Sequence, residues 1–352
     1  MSGTVLVTGG SGLVGGDTVK RLSADGWRVV ATTHRAGIAG LPAGTQTRRV
    51  DLGDADAVDA AVRDVAPAAI VHLAAIIPPQ AYRNRAAARR VNVDATATLV
   101  KAAEQQSNPP HFVYASSGSV YGGRNPHRVT DLIGPDTPAH PCELYGGQKL
   151  EAEEIVRASS LPWAVLRLGG VFSVDPDAMP FTSDLLYFGG VVPNDSRVHT
   201  VDSRDVAAAF AAVLRTGLTD EVLLIGGDKT HLLLQGDLKQ GLARARGLSR
   251  LPMGRPGDPD SDTQWYAIGD WMDVTRSQQL LSYHHHTWPE LLEELRFNCG
   301  WKRYPAQLAS PLICAVLERR APYRRSPGRY ADVWASIRTG LGDPDLDRRP
   351  AQ

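Results

Sequence analysis

The stretch TVLVTGGSGLVG near the N-terminus restricts the fold of this chain more than any other. Residues 4–8, TVLVT, are apolar and β-branched and read as a buried strand. Gly9, Gly12 and Gly15 follow at intervals of three, and a helical pattern, DTVKRLSADG, begins after them. A strand, a glycine turn and a helix N-terminus together form a pyrophosphate site. Glycines let the backbone approach phosphates, and the unpaired N–H groups and dipole of the helix favour an anion. Gly9, Gly12, Leu13, Val14 and Gly15 are therefore candidate contacts of a dinucleotide, and the unit around them is expected to be an open α/β sheet.

The next apolar segments extend this pattern. WRVVATTHR reads as the second strand, and its end carries Thr33, His34 and Arg35. A site for NAD usually has Asp or Glu there, about 20 residues beyond the glycines, to accept from the ribose 2′-hydroxyl. No carboxylate stands at this end, whereas Arg35, with His34, can hold a 2′-phosphate through charge-assisted hydrogen bonds. NADP(H) is the expected cofactor and NAD(H) the alternative. RRVDLGDADAVDAAV is a short strand and a helix with Asp51 and Leu52 at the junction, where an adenine edge could be reached or where Asp51 simply caps the helix. PAAIVHLAA is a further buried strand. The small residues after it (Leu73, Ala74, Ala75) leave room for a ligand, and His72 is expected to be a satisfied core histidine. The loop IIPPQAYRNRAAARR is a candidate substrate wall, and a helix is expected from Val91 with Asn92 near its start, another cofactor-side candidate.

HFVYASSGSVYGG predicts a strand whose end releases Ser116, Ser117 and Ser119 at the sheet edge where open parallel sheets hold ligands. Downstream, CELYGGQKLEAEEIV places Tyr145 and Lys149 four residues apart, on one face of a helix. A phenol transfers protons poorly at neutral pH because its pKa lies near ~10. A lysine cation one turn away is expected to favour the phenolate and bring the tyrosine into range.

Taken together, TGGSGLVG, Asp51-Leu52, HLAA, VNVDATATLVKAA, FVYASSGSVYG and YGGQK resemble the extended short-chain dehydrogenase/reductase family, in family order. The resemblance is strong over residues 1–170, weaker to about 230 and faint beyond. It implies a doubly wound parallel Rossmann sheet, a nicotinamide cofactor and a Ser-Tyr-Lys triad. In that triad Ser117 matches the catalytic hydroxyl, Tyr145 the acid/base and Lys149 the ribose-binding lysine, while Asp51 and Leu52 match the adenine contacts. The departures bear on the substrate. Gly118 and Ser119 stand where the family's sugar-nucleotide dehydratases carry Asp-Glu, which argues against elimination. Gly170 replaces an asparagine that holds the diphosphate in sugar-nucleotide epimerases, and Arg197 is one residue out of register with their arginine. VDSRDVA resembles the ketoreductase-like branch, and Gln148 replaces the serine common before the lysine.

These readings divide the chain into a dinucleotide-binding domain, 1–170, and a smaller substrate-binding region, 171–352, interleaved with late Rossmann elements at about 199–226 and followed by a C-terminal extension. SVDPDAMPFTSDLLYFGGVVPND is expected to be a lid, RDVAAAFAAVLRTG an amphipathic helix with Asp205 in its first turn, and LSRLPMGRPGDPDSDTQ an exposed loop. WYAIGDWMD is expected to fold back on the substrate side. The basic, proline-rich tail after Trp301 reads as a solvated extension, with a clamp on the body or a dimer contact as alternatives. Three consecutive histidines, His284 to His286, lack partners at ligand spacing, so no metal is expected. Lys+Arg and Asp+Glu are both 38, which gives no long-range field toward nucleic acid or an anionic membrane. No apolar run reaches the ~20 residues that span a bilayer, and three scattered cysteines make no disulfide framework. The expectation is a cytoplasmic oxidoreductase acting on a small molecule, with a homodimer allowed by the resemblance. A nucleotide-sugar epimerase with tightly bound NAD and a non-catalytic dinucleotide-binding protein are the alternatives.

Overall fold

The computed structural model describes residues 3–34, 40–180, 182–266, 270–324 and 328–347. Its main sheet has seven parallel strands, β1 (Thr4–Thr8), β2 (Arg28–Thr33), β3 (Gln46–Arg49), β4 (Ala69–His72), β5 (His111–Ser117), β6 (Trp163–Leu168) and a later strand, Glu221–Ile225. The spatial order is β3-β2-β1-β4-β5-β6 and then that later strand, so the winding reverses between β1 and β4. A crevice opens at such a reversal, beyond the carboxyl ends of the strands.

Alternate residues explain why both faces are covered. Val5 and Val7 point into one apolar core and Leu6 into the other. Helices α1 (Gly15–Ala24) and α8 (Ser203–Thr216) close the first face, while α2 (Ala55–Val65), α5 (Ala95–Glu104) and α6 (Leu144–Arg157) close the second. Between α2 and α5 lie the short α3 (Gln80–Arg83) and α4 (Arg85–Arg89), and between α6 and α8 lies α7 (Ser183–Val191). Parallel sheets are stable only when both faces are buried in this way.

A second sheet of three strands, β7 (Gly170–Phe172), β8 (Arg197–Asp202) and β10 (Leu232–Leu234), carries β8 in its middle, and the last strand of the main sheet is thus β9. So α8 and β9 belong to the main body, while β8 belongs to the small sheet. The helices that follow are α9 (Gln235–Ala245), α10 (Thr275–Leu281), α11 (Trp288–Asn298), α12 (Arg303–Arg320) and α13 (Val333–Gly340). No helix among the described residues is long and apolar enough to cross a membrane.

Several expectations change in detail. Helix α1 begins at Gly15 rather than after it. The cap of α2 is Asp54, whose carboxylate accepts from Asp56 and Ala57 N–H; Asp51 instead closes a turn by accepting from Gly53 N–H at 2.9 Å. Asn92 does not start a helix but sits in a π-turn (Arg90–Asp94) between α4 and α5. The loop at 248–264 is not simply exposed: Leu251 is buried, and Gly257 packs under the Trp265 ring. The last part of the tail acts as a clamp, because α13 buries Val333 and Ile337 against α7 and α3, whereas α12 leaves Leu308 and Leu312 exposed.

The histidine run has a structural role. Asp205 is fully buried in the first turn of α8 and accepts from the backbone N–H groups of His285 and His286 and from His286 Nδ1 at 2.6 Å. His284 Nε2 meets the Gly226 carbonyl at 2.9 Å. The Asp205 carboxylate thus ties the C-terminal region to the main sheet. Asp205→Ala leaves these donors without an acceptor and is expected to cost about 3 kcal/mol. Denaturant unfolding measures this loss.

Candidate active site

The glycine turn is built for close approach. Gly9 has φ of +70°, and a Cβ there would lie 2.8 Å from the backbone of Ala74. A Cβ on Gly15 would lie 2.2 Å from the Gly9 carbonyl oxygen. The turn therefore lies flat against the loop after β4, where Leu73, Ala74 and Ala75 are half-buried. Thr8 holds that loop from below: its carbonyl accepts from Leu73 N–H, and its hydroxyl meets Ala74 N–H at 3.4 Å. This shallow cradle of small residues at the N-terminus of α1, with Leu13 and Val14 half-buried beside it, fits a pyrophosphate.

At the end of β2, Thr33 is buried and His34 exposed, its Nδ1 3.9 Å from Asp51 Oδ1. Arg49 Nε donates to the His34 carbonyl. Arg35, the expected phosphate ligand, lies outside the described residues. Leu52 packs on the second core beside the exposed Asp51.

Tyr145 occupies the first turn of α6, facing the end of β5. The Ser117 hydroxyl lies near enough to the tyrosine hydroxyl to oppose the rise of its pKa, and both side chains keep part of their surface open. Ser117 also meets Ser119 Oγ at 3.2 Å. Ser116, by contrast, points into the body and donates to Glu153. Lys149 is only 2% exposed. Its ammonium donates to the Ala115 carbonyl at 2.7 Å and lies 4.7 Å from the centre of the Tyr114 ring and 5.8 Å from that of Tyr145. Ser117, Tyr145 and Lys149, chosen from motifs alone, are thus brought together at the C-terminal rim of the sheet.

The electrostatics differ from the expectation. Burial pushes the Tyr145 phenol well above its ordinary range, the nearby Glu143 carboxyl adds to this, and the Ser117 hydrogen bond only partly opposes it. Burial also brings Lys149 down to about 7, against the pull of the Glu153 carboxylate. The lysine does not lower the tyrosine, because desolvation dominates both groups. Tyr145 is a protonated phenol here.

His72 is the expected satisfied histidine: Thr8 Oγ1 and Thr96 Oγ1 lie 2.6 and 3.0 Å from its two ring nitrogens, and burial together with Lys149 lowers it to about 3. Asn92, 1% exposed, uses its whole amide on neighbours. It accepts from Ile76 N–H and donates to the Ile76 carbonyl and to Gln148 Oε1, so it pins the loop after β4 to α6.

Motif reading missed the support around Tyr145. Glu143 caps α6 by accepting from Tyr145 and Gly146 N–H at 2.7 and 2.6 Å. It also accepts from Tyr82 Oη, which meets Tyr266 Oη, and burial raises its carboxyl to about 7. An acid directly before the helical pattern was the available signal; the partners at 82 and 266 are too distant in sequence to infer. Tyr266 packs against Tyr82 and Phe188, and residues 267–269 lie outside those described. The expected lid is anchored: Arg83 pairs with Asp184 at 2.8 Å, and Tyr187 Oη donates to the Ser336 carbonyl.

The model of the NAD dependent epimerase/dehydratase family matches residues 5–226. Among curated proteins, methionine adenosyltransferase 2 subunit beta of Bos taurus is 33% identical over 196 residues, covering 54% of each chain. D-erythronate dehydrogenase of Cupriavidus necator is 32% identical over 178 residues, 47% of this chain and 54% of the other. The chain spans about half the length of the curated relatives it matches. Among solved structures, Thermus thermophilus UDP-glucose 4-epimerase in complex with NAD aligns with a TM-score of 0.68 at 22% identity, over 84% of this chain and 98% of the other, a likeness of fold alone. MoeE5 in complex with UDP-glucuronic acid and NAD aligns at 0.65 and 25% identity, over 86% of this chain and 100% of the other.

The depressed Lys149 has a consequence for stability. The folded group has its pKa near 7 against 10.5 when unperturbed, so between those values the unfolded chain holds a proton that the folded chain has lost. Stability from this group is therefore present at alkaline pH and is lost as pH falls through about 7. In the dinucleotide-free protein, wild type should gain stability over Lys149→Met steadily from about pH 7 to 10, by denaturant titration. A pH-independent difference would mean that the lysine is not desolvated.

Proposed function

This chain belongs to the NAD-dependent epimerase/dehydratase family, and from that premise we propose that it is an oxidoreductase moving hydride between a nicotinamide dinucleotide and a carbonyl or secondary alcohol of a small molecule. The observation that carries this reading is the meeting of Ser117 and Tyr145 hydroxyls beside buried Lys149 at the sheet rim. When bound, the dinucleotide supplies or accepts the hydride. Gly9, Gly12, Leu13, Val14 and Gly15 would hold its pyrophosphate, and Leu73, Ala74 and Ala75 border the path toward the triad. Lys149 would hold the nicotinamide ribose. The protonated Tyr145 phenol gives its proton to the substrate oxygen as negative charge develops there, and Ser117 donates a second hydrogen bond to the same oxygen.

For the adenosine end we propose NADP(H) over NAD(H), from the absence of a carboxylate after β2 and the presence of Arg35 there, with Asp51 and Leu52 beside the adenine. The structural neighbours are complexes with NAD, so the preference rests on those residues alone. A second reading, epimerisation of a nucleotide sugar, is favoured by the likeness to MoeE5 with its UDP-sugar. Arg197 does not add to it, because the guanidinium is about nine-tenths buried with Nη1 3.8 Å from Asp270 Oδ1 and Nη2 donating to the Pro126 carbonyl.

Tyr145→Phe removes the proton donor and should lower kcat at least about a hundredfold while leaving dinucleotide affinity within about threefold. Turnover is followed at 340 nm over a carbonyl panel and dinucleotide binding by calorimetry. Unchanged turnover in the variant removes Tyr145 from the mechanism. Interconversion of a nucleotide sugar without net absorbance change favours the epimerase reading, and tight dinucleotide binding without any turnover favours a purely binding role. NADPH should bind at least about tenfold more tightly than NADH, and the reverse order overturns the 2′-phosphate assignment.

A further inference from the structure

The C-terminal segment, the part of the chain least legible in sequence, ends against the catalytic helix. After α13 the chain crosses to α3, where Asp343 N–H donates to the Tyr82 carbonyl at 3.1 Å. The Pro344 carbonyl then accepts from Leu144 N–H at 2.8 Å. Leu144 is the first residue of α6, and its N–H has no acceptor within the helix. Leu346 lies over Gly147 so closely that a Cβ there would meet its Cδ2 at 2.7 Å. Asp347 accepts from Gln148 Nε2 and Arg85 Nη2, both at 2.9 Å, and Arg89 Nη1 lies 3.4 Å away. Arg85 fastens the same stretch by donating to the carbonyls of Asp343, Asp345 and Leu346.

These contacts touch residues on both sides of Tyr145 and pass inward. Gln148 and Asn92 are each 1% exposed. Asp347 holds the Gln148 amide, Gln148 Oε1 accepts from Asn92, and Asn92 grips Ile76 through both backbone groups. A polar chain thus runs from the tail, through the catalytic helix, to the loop that borders the glycine turn. The first turn of a helix is where the backbone is least held by its own ladder, and Tyr145 stands in that turn.

We propose that residues 341–347 form a strap that sets the position of the first turn of α6, with Gln148 and Asp347 as positioning residues for Tyr145. The proposal rests on the reading of Tyr145 as the acid/base. It also gives the glutamine in YGGQK a reason: a serine at 148 could not reach from Asn92 to Asp347.

The test is a charge reversal and its repair in the full chain. Gln148→Glu keeps the acceptor for Asn92 but sets a carboxylate against Asp347, and adding Asp347→Asn restores a donor across the gap. Expected for Gln148→Glu is a fall in kcat of about tenfold or more with dinucleotide affinity within about threefold. The double variant should return to within about threefold of wild type. Two merely destabilising changes would instead add. Full activity in Gln148→Glu, or a double variant worse than either single, overturns the strap. Should the wild type turn over no substrate, the reading of Tyr145 fails on its own, and hydrogen exchange decides the strap. Amides of residues 144–149 should exchange about tenfold faster in Gln148→Glu and recover in the double variant, whereas unchanged exchange overturns it.

Discussion

A lysine ammonium buried beside a phenol is the constraint around which this molecule is arranged. Lys149 has almost no contact with water, and desolvating a cation is costly unless fixed partners replace its hydration. Its partners come from the strand below: the Ala115 carbonyl and the Tyr114 ring, both on β5. One turn along α6, Glu153 adds a compensating charge, and Arg167 on β6 holds that carboxylate through Nε and Nη2 while Ser116 donates from β5. Arg167 in turn donates to Tyr121. Helix α6 is therefore locked to two central strands by charge as well as by apolar packing, and the hydroxyl of Ser117 is delivered at the point where β5 leaves the sheet.

The other end of that helix needs separate support, because Tyr145 lies in its first turn. Glu143 satisfies two of the free N–H groups, and the backbone of Pro344 takes a third. The Tyr82 hydroxyl donates to the same carboxyl and meets the Tyr266 hydroxyl in turn, which couples the cap to α3 and to the segment around Tyr266. The C-terminal region does more than cover the body. It joins α7, the substrate-side segment and the catalytic helix into one cluster around Val333, Ile337 and Leu341. Among the described residues the expected lid segment is tied down at Asp184 and Tyr187.

How much of this was legible in sequence depends on range. The strands at 4–8, 28–33 and 111–117, the glycine turn and the Tyr145–Lys149 spacing were readable, since each is encoded within a few adjacent residues by period, turn chemistry or spacing, whereas Ser117 was joined to them through the family resemblance. Asp205 was placed correctly in the first turn of α8, yet its burial and its grip on the histidine run were hidden because those partners are some eighty residues away. Asn92 looked like a helix start because the π-turn at Arg90–Asp94 interrupts the regular period. Gln148 registered only as a departure from a motif, for its partners at 92 and 347 come from opposite ends of the chain. The sign of the tyrosine shift failed for a different reason. Spacing reports which charges are near but not how dry the site is, and here dryness dominates.

The most direct test of the account is a crystal structure of the protein with its dinucleotide and an unreactive carbonyl ligand. The account predicts the pyrophosphate over Gly12 at the start of α1, Lys149 Nζ within hydrogen-bond reach of the nicotinamide ribose, and the ligand oxygen about 3 Å from both Tyr145 Oη and Ser117 Oγ. A nicotinamide bound elsewhere on the rim, or a ligand oxygen beyond reach of both hydroxyls, would contradict it.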